Sequence, residues 1–209
     1  EMVEVVMAWE EEGMAAADEK ADDDETGSGT SSSPTIRGLE ALGTPKRSSR
    51  VHPPLASLGK VSISDFAVMG KLGEGGYGTV LLGKHKLSSS VVALKMLTKD
   101  AISSDVHAER VLGEAEALSE VSHPFIVSML GAFQDELHVF FVLEFVGGGD
   151  VYHRIEQYGR LGLSSGTTLL AEVALALAHV HQRGYMYRDL KSENVLICAD
   201  GHVKLADFG

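Results

Sequence analysis

The stretch DFAVMGKLGEGGYGTVLLGKHK, residues 65–86, followed after LSSS by VVALKML, residues 91–97, decides how this chain folds. Apolar residues on both sides of a glycine-rich run predict two strands joined by a turn, and VVALKML predicts a third. The run itself is Gly73-Glu74-Gly75-Gly76-Tyr77-Gly78-Thr79-Val80. Its glycines let backbone amides approach phosphate oxygens with no Cβ in the way. A dinucleotide-binding turn carries similar glycine spacing but needs a helix directly after it. Here TVLLGKHK alternates like a strand, so the run reads as a strand–turn–strand lid over phosphate groups. Alone, the glycine pattern is a weak signal.

Working outward, SDVHAERVLGEAEALSEVSH (104–123) predicts a helix stopped before Pro124, with Val111, Ala115, Leu118 and Ser122 on one face. Gly113 inside it costs about 1 kcal/mol relative to alanine, so the helix depends on tertiary packing. FIVSMLGAF (125–133) and HVFFVLEFV (138–146) predict two more strands. TTLLAEVALALAHVHQRG (167–184) predicts a long, largely apolar and hence buried helix. NVLICADGHVKLADFG (194–209) predicts a hairpin around Asp200-Gly201. A mainly antiparallel sheet with one helix, followed by a helical region, implies an α+β fold in two lobes.

Residues 1–60 differ in character and are expected to be disordered. Residues 1–25 carry eleven acids against one base, whereas residues 26–60 carry five bases against one acid, Glu40. The remaining residues hold eighteen acids and twelve bases, so the net charge of −12 describes the leader more than the folded part. The basic, serine-rich TPKRSSRVHPP (44–54) reads either as an unstructured leader or as a regulatory phosphorylation segment around Ser48 and Ser49. The opening MVEVVMAWEEE lacks the basic start, apolar core and cleavage site of a signal peptide. No apolar run approaches the roughly 20 residues of a membrane span. The single cysteine, Cys198, excludes an internal disulfide and fits a reducing compartment. A cytoplasmic location, extending to the nucleus, is expected. The chain starts at Glu1 rather than methionine, which leads to the expectation that it is incomplete at that end.

Three further elements carry chemistry. Lys95 lies fifteen residues after Val80, on a strand where an unpaired ammonium is costly. Nucleotide phosphates and a helix glutamate would supply its partners. Glu114, nineteen residues on, places Leu118 one turn further along its own face, toward the core; Glu109 and Glu116 compete on sequence grounds alone, and Glu109, Glu116 and Glu120 otherwise form a solvated face. In Tyr187-Arg188-Asp189-Leu190-Lys191-Ser192-Glu193-Asn194, Asp189 can orient a substrate hydroxyl and accept its proton. Lys191 can neutralise a γ-phosphate and Asn194 can ligate Mg²⁺. In Asp207-Phe208-Gly209 the carboxylate can chelate the metal that bridges the phosphates. Eighteen residues separate Asp189 from Asp207, and a hairpin between them can bring both carboxylates to one cleft.

GEGGYGTV, VALK, YRDLKSEN and DFG, in this order and spacing, resemble the signature set of eukaryotic protein kinases. YRD, HPFIV and FVLEFVGGGD look like the AGC group of serine/threonine kinases, and Lys191 also fits serine/threonine specificity. The resemblance covers about Phe66 to Gly209. It implies a kinase fold with a complete amino-terminal lobe and only the start of the helical lobe, because about a hundred further residues would normally follow. It also implies ATP and Mg²⁺ as cofactors, a protein substrate with a Ser/Thr acceptor, no nucleic acid, and an upstream activating kinase as an admissible partner.

By the same similarity, Leu72, Gly73, Glu74, Gly75, Gly76, Tyr77, Gly78, Thr79 and Val80 would cover the nucleotide. Leu72, Val80, Ala93 and Leu196 would sandwich the adenine, Glu144 and Val146 would bond its edge, and Leu143 would be the gatekeeper. Leu118, Met129, Tyr187 and Phe208 would stack between the lobes. Asp150 and Glu193 would accept arginines two and three residues before the phosphoacceptor, although Asp150 could equally cap a helix. A non-catalytic kinase-like module is the alternative, but Lys95, Asp189 and Asp207 are all intact. Ser192 stands where proline or leucine is frequent, at a place that touches no phosphate.

Overall fold

The computed structural model describes residues 61–75, 78–102 and 104–208. The leader lies outside the described residues, as do Gly76 and Tyr77, which were expected to cover a nucleotide, and Gly209. Strands β1 (Phe66–Gly75), β2 (Gly78–His85), β3 (Val91–Thr98), β4 (Met129–Gln134) and β5 (His138–Glu144) form one antiparallel sheet in the order β1-β2-β3-β5-β4. Helix α1 (Asp105–Glu120) crosses between β3 and β4. Then come α2 (Val151–Tyr158), α3 (Leu163–Gln182) and the hairpin β6 (Val195–Ile197) and β7 (Val203–Leu205).

The sheet separates two apolar clusters, as period-2 alternation requires. Leu97, Val139 and Phe141 join Ala108, Val111 and Ala115 of α1. Phe66, Val92, Leu94, Phe133, Phe140 and Val142 form the other cluster, where Phe133 stacks on Phe140 at 4.7 Å. The β6–β7 turn places Gly201 at φ 89°, a left-handed conformation in which glycine carries no Cβ penalty.

Several boundaries depart from the sequence expectation. Helix α1 ends at Glu120; Val121 is extended and buried, and Ser122 is exposed rather than on the core face. Strand β4 begins at Met129, not Phe125. The backbone of residues 125–127 is committed elsewhere: Leu205 N–H donates to Phe125 O at 2.9 Å, and Val127 N–H donates to Leu205 O at 2.8 Å. The segment before β4 is thus stitched to the β6–β7 hairpin and couples the sheet lobe to the helical lobe. Strand β5 stops at Glu144, leaving Phe145 and Val146 to the connection.

Helix α3 is buried along one face only, through Glu172, Val173, Ala176 and Val180. Leu163, Leu170 and Leu175 are 88%, 68% and 56% exposed. At 20 residues it is also long and apolar enough to cross a membrane by length and composition, contrary to the expectation that no run approaches such a span. Its inner face is nevertheless polar at Glu172, whose carboxylate holds His202 Nδ1 at 2.6 Å and accepts from Val203 N–H at 2.9 Å. That carboxylate fastens the hairpin to the helix.

Candidate active site

Lys95 stands on β3 opposite Val80 of β2 and Phe141 of β5, so its ammonium emerges from the middle of the sheet. It bonds Glu114 Oε1 at 2.6 Å, Glu114 Oε2 at 2.7 Å and Asp207 Oδ1 at 2.7 Å. Glu114 is only 5% exposed, on the same side of α1 as Leu118, which is also buried. Glu109 and Glu116 face solvent, and Glu120 accepts from Tyr185 Oη at 2.9 Å. The rotation of α1 thus selects Glu114 as the lysine's partner among the glutamates of the helix.

Burial opposes the charge on Lys95, but the Glu114 and Asp207 carboxylates together outweigh it and hold the ammonium above its ordinary range. Burial likewise opposes ionisation of Asp207, yet Lys95 prevails and keeps that carboxyl below the usual carboxylate range. Glu114 is pushed up, first by its burial. Two carboxylates therefore share one ammonium.

Asp189 lies in the loop before β6. Its Oδ2 accepts from Lys191 Nζ at 2.7 Å and from Asn194 Nδ2 at 3.0 Å. Asn194 Nδ2 also reaches Asp189 O at 3.0 Å, and Ala206 N–H donates to Asn194 O at 2.9 Å. The buried Asn194 is thus tied to Asp189 on one side and to the residue preceding Asp207 on the other. Arg188 and Asp207 adopt left-handed φ values of 56° and 62°, uncommon for non-glycine residues and maintained only where surroundings over-determine them. Tyr187 is part of that surrounding: its hydroxyl donates to Ala206 O and its ring meets Phe208 edge-on at 5.2 Å. Burial, with the Asp207 and Asp189 carboxylates, pushes its phenol up. Leu118, Tyr187 and Phe208 share one core cluster, with Met129 packed against it.

The glycine-rich strands separate two reasons for glycine. A Cβ at Gly78 would fall 2.0 Å from Met96 O, so the fold itself excludes a side chain there. A Cβ at Gly73 or Gly75 would meet nothing within 4 Å, so the fold makes no steric demand there and the open space is available to a ligand. Glu74 pairs with Lys71 along the edge of β1. Thr79, Val80 and Leu72 are half-buried, and Ala93 is buried opposite Leu143 on β5. Leu196 bridges to Asp150, which brings β6 beneath the connection between the lobes.

That connection is held by Glu144 together with Ser128 and Lys204, two residues the sequence did not single out. Glu144 Oε1 accepts from Lys204 Nζ at 2.6 Å and from Ser128 N–H at 2.9 Å. Glu144 N–H donates to Ser128 O at 2.9 Å. Lys204 could have been suspected from the alternation in Val203-Lys204-Leu205, which turns it away from its buried neighbours. Gly148 N–H donates to Ile197 O at 2.9 Å, and a Cβ on Gly148 would fall 2.2 Å from that oxygen. Val146 is half-buried in the same connection.

Asp150 caps α2, with Oδ1 accepting from His153 N–H at 2.8 Å and Oδ2 meeting His153 Nδ1 at 2.7 Å. Such a cap contributes on the order of 1 kcal/mol to the helix. Glu193 is exposed, and its Oε2 accepts from Ser192 Oγ at 3.0 Å.

A sheet lobe and a helical segment joined by a clasped connection, with a lysine–glutamate pair bonded to Asp207, make up the architecture of a protein kinase domain. The protein kinase domain family matches residues 66–209, and the chain belongs to that family. It is 38% identical to the serine/threonine-protein kinase AtPK1/AtPK6 of Arabidopsis thaliana over 151 residues, which cover 72% of this chain and 32% of that protein. It is 40% identical over 151 residues to the human protein kinase C delta type and to the cAMP-dependent protein kinase type 3 of Saccharomyces cerevisiae. Each match covers 72% of this chain, and 22% and 38% of those two relatives respectively. These relatives are serine/threonine kinases of the AGC type. The chain thus spans about a third of the length of its Arabidopsis relative.

Proposed function

We propose that this chain carries the catalytic core of a serine/threonine protein kinase that transfers the γ-phosphoryl group of ATP to a protein hydroxyl. The observation that carries this reading is the Lys95–Glu114–Asp207 network set beside the Asp189–Asn194 pair. In that reading Lys95 binds the α/β-phosphates while Glu114 holds its ammonium in position. The backbone around Gly73 and Gly75 covers the phosphates, and Leu72, Val80, Ala93 and Leu196 enclose the base. Glu144 and Val146 bond its edge through their backbone.

The carboxylate of Asp207 and the amide oxygen of Asn194 suit Mg²⁺, which keeps water and phosphate ligands and takes few from protein. The ion, held there, supplies charge neutralisation at the phosphate oxygens. Asn194 donates through Nδ2, which leaves its oxygen as an acceptor. Asp189 orients the incoming hydroxyl and accepts its proton. Both observed bonds fall on Asp189 Oδ2, so the hydroxyl approaches Oδ1. Lys191 then turns from Asp189 to the transferring phosphate, whose charge it offsets. Asp150 and Glu193 accept basic residues on the amino-terminal side of the acceptor, with arginine favoured because guanidinium–carboxylate pairs can be bidentate.

The test uses protein made from the whole natural reading frame, labelled ATP and a serine peptide with arginines two and three residues before the acceptor. Asp189→Asn should lower the transfer rate by about 10²–10⁴-fold, the range for losing a positioned acid–base or charge-stabilising group. Glu109→Ala, on the solvent side of α1, should leave the rate unchanged. Near-normal transfer by Asp189→Asn would overturn the assignment.

A further inference from the structure

Helix α1 ends on a carboxylate. Glu120 takes its last position, where the helix dipole disfavours negative charge, and no basic residue shares the last turn. Glu116, one turn earlier, adds a like charge. What holds this misplaced acid comes from just beyond α3. Tyr185 Oη donates to Glu120 Oε2 at 2.9 Å, and Arg183 Nη1 donates to Glu120 O at 3.0 Å. The end of α1 is therefore braced through a side chain and through a carbonyl that its own helix leaves unpaired.

The other side of the brace is fixed in place. Arg183 is the C-cap of α3, and Gly184 follows at φ 86°. Gly184 N–H donates to His181 O at 3.0 Å, and Tyr185 N–H donates to Val180 O at 3.2 Å. These are the two bonds of a Schellman turn, which sets the direction in which Tyr185 leaves the helix. The Tyr185 ring packs against the cluster that holds Val180, Leu118 and Tyr187. Burial first, then the bond to Glu120, pushes its phenol up, so the hydroxyl stays a donor.

Helix α1 is divided between two clusters. Ala108, Val111 and Ala115 pack beneath the sheet, whereas Ala117 and Leu118 pack in the helical lobe. Glu114 lies beside that boundary, six residues before Glu120, and Asp189 lies four residues after Tyr185. The brace thus joins the helix that carries the Lys95 partner to the turn that leads into Asp189. We propose that Glu120 and Tyr185 are a positioning pair for phosphoryl transfer, fixing α1 and its Glu114 relative to Asp189. The inference rests on the kinase reading above and adds to it two residues that touch neither nucleotide nor acceptor.

The test uses protein from the whole natural reading frame, with labelled ATP and the arginine-containing serine peptide, and expresses kcat per folded molecule. Tyr185→Phe keeps the ring and removes only the hydroxyl. Its kcat should fall by about tenfold, the factor for about 1.4 kcal/mol, which is within reach of one hydrogen bond to a charged group. KM for the peptide should stay at the wild-type value. Glu120→Ala should match Tyr185→Phe, and the two combined should be no slower than either alone, because both remove one interaction. Glu120→Gln should recover most of the rate, since its amide oxygen still accepts from Tyr185 Oη. A wild-type kcat for Tyr185→Phe overturns the proposal, as does a melting temperature that falls with kcat per folded molecule unchanged. So do single losses that multiply in the double variant, or a Glu120→Gln variant as slow as Glu120→Ala. If the wild type transfers no phosphate to the peptide, the kinase reading falls and this inference falls with it.

Discussion

Replacing Lys95 by methionine isolates what the buried network contributes to stability. Methionine nearly matches the length of the lysine stem, so no cavity opens beneath the sheet, and the change is confined to the ammonium. Glu114, only 5% exposed, then loses the cation held at 2.6 and 2.7 Å from its two oxygens. Breaking a buried pair by removing one partner costs about 3–5 kcal/mol, because the remaining charge stays desolvated. Asp207 adds little to that loss, since its side chain is 44% exposed and water can take over its solvation. Glu114 can limit the penalty by binding a proton, which places the expected loss near the lower end, about 3 kcal/mol. For a domain of this size that corresponds to roughly 6–12 °C in melting temperature.

The assay is differential scanning fluorimetry of wild type, Lys95→Met, and Lys95→Met combined with Glu114→Leu. The double variant removes both charges and should recover most of the loss, since an apolar pair tolerates the site that a lone carboxylate does not. A single variant melting within 1 °C of wild type would refute the claim that Glu114 is buried against this lysine. A double variant as unstable as the single would show that packing, not the orphaned charge, sets the cost.

Two further outcomes follow from the geometry. Glu172 holds the His202 imidazole and raises its pKa above the usual 6.5. A raised folded-state value contributes stability that is fully present below the unfolded pKa of about 6.5 and lost as pH rises through the folded value. His202→Gln should therefore lower the melting temperature more at pH 5.5 than at pH 8.5, and an equal or reversed difference would contradict the pairing. In the glycine-rich strands, Gly78→Ala should destabilise by about 1–3 kcal/mol, because its Cβ would fall 2.0 Å from Met96 O. Gly73→Ala, with open space around its Cβ, should leave the urea midpoint unchanged while weakening nucleotide binding measured by calorimetry. A stability loss at Gly73 equal to that at Gly78 would refute the distinction between the two glycines.

The elements whose signals are local were legible in the sequence. Alternation defined β1 to β3, Asp200-Gly201 marked the β6–β7 turn, and the order of the glycine run, Lys95, Asp189 and Asp207 pointed to phosphoryl transfer before any packing was known. These features depend on residue type within a few positions, or on motif order, and neither requires the partner to be known. The choice of Glu114 over Glu109 and Glu116 was different. It depends on how α1 is rotated against the sheet, set by Val111, Ala115 and Leu118 filling space beneath it. Strand β4 began late because the backbone of residues 125–127 found its partner in β7, about eighty residues along the chain. The sequence of α3 reported its hydrophobicity but not how much of it would be covered, since coverage is a property of neighbouring elements. The Glu144–Lys204 clasp escaped notice for the same reason: an ion pair spanning sixty residues has no local pattern, and only the folded chain brings its charges to 2.6 Å.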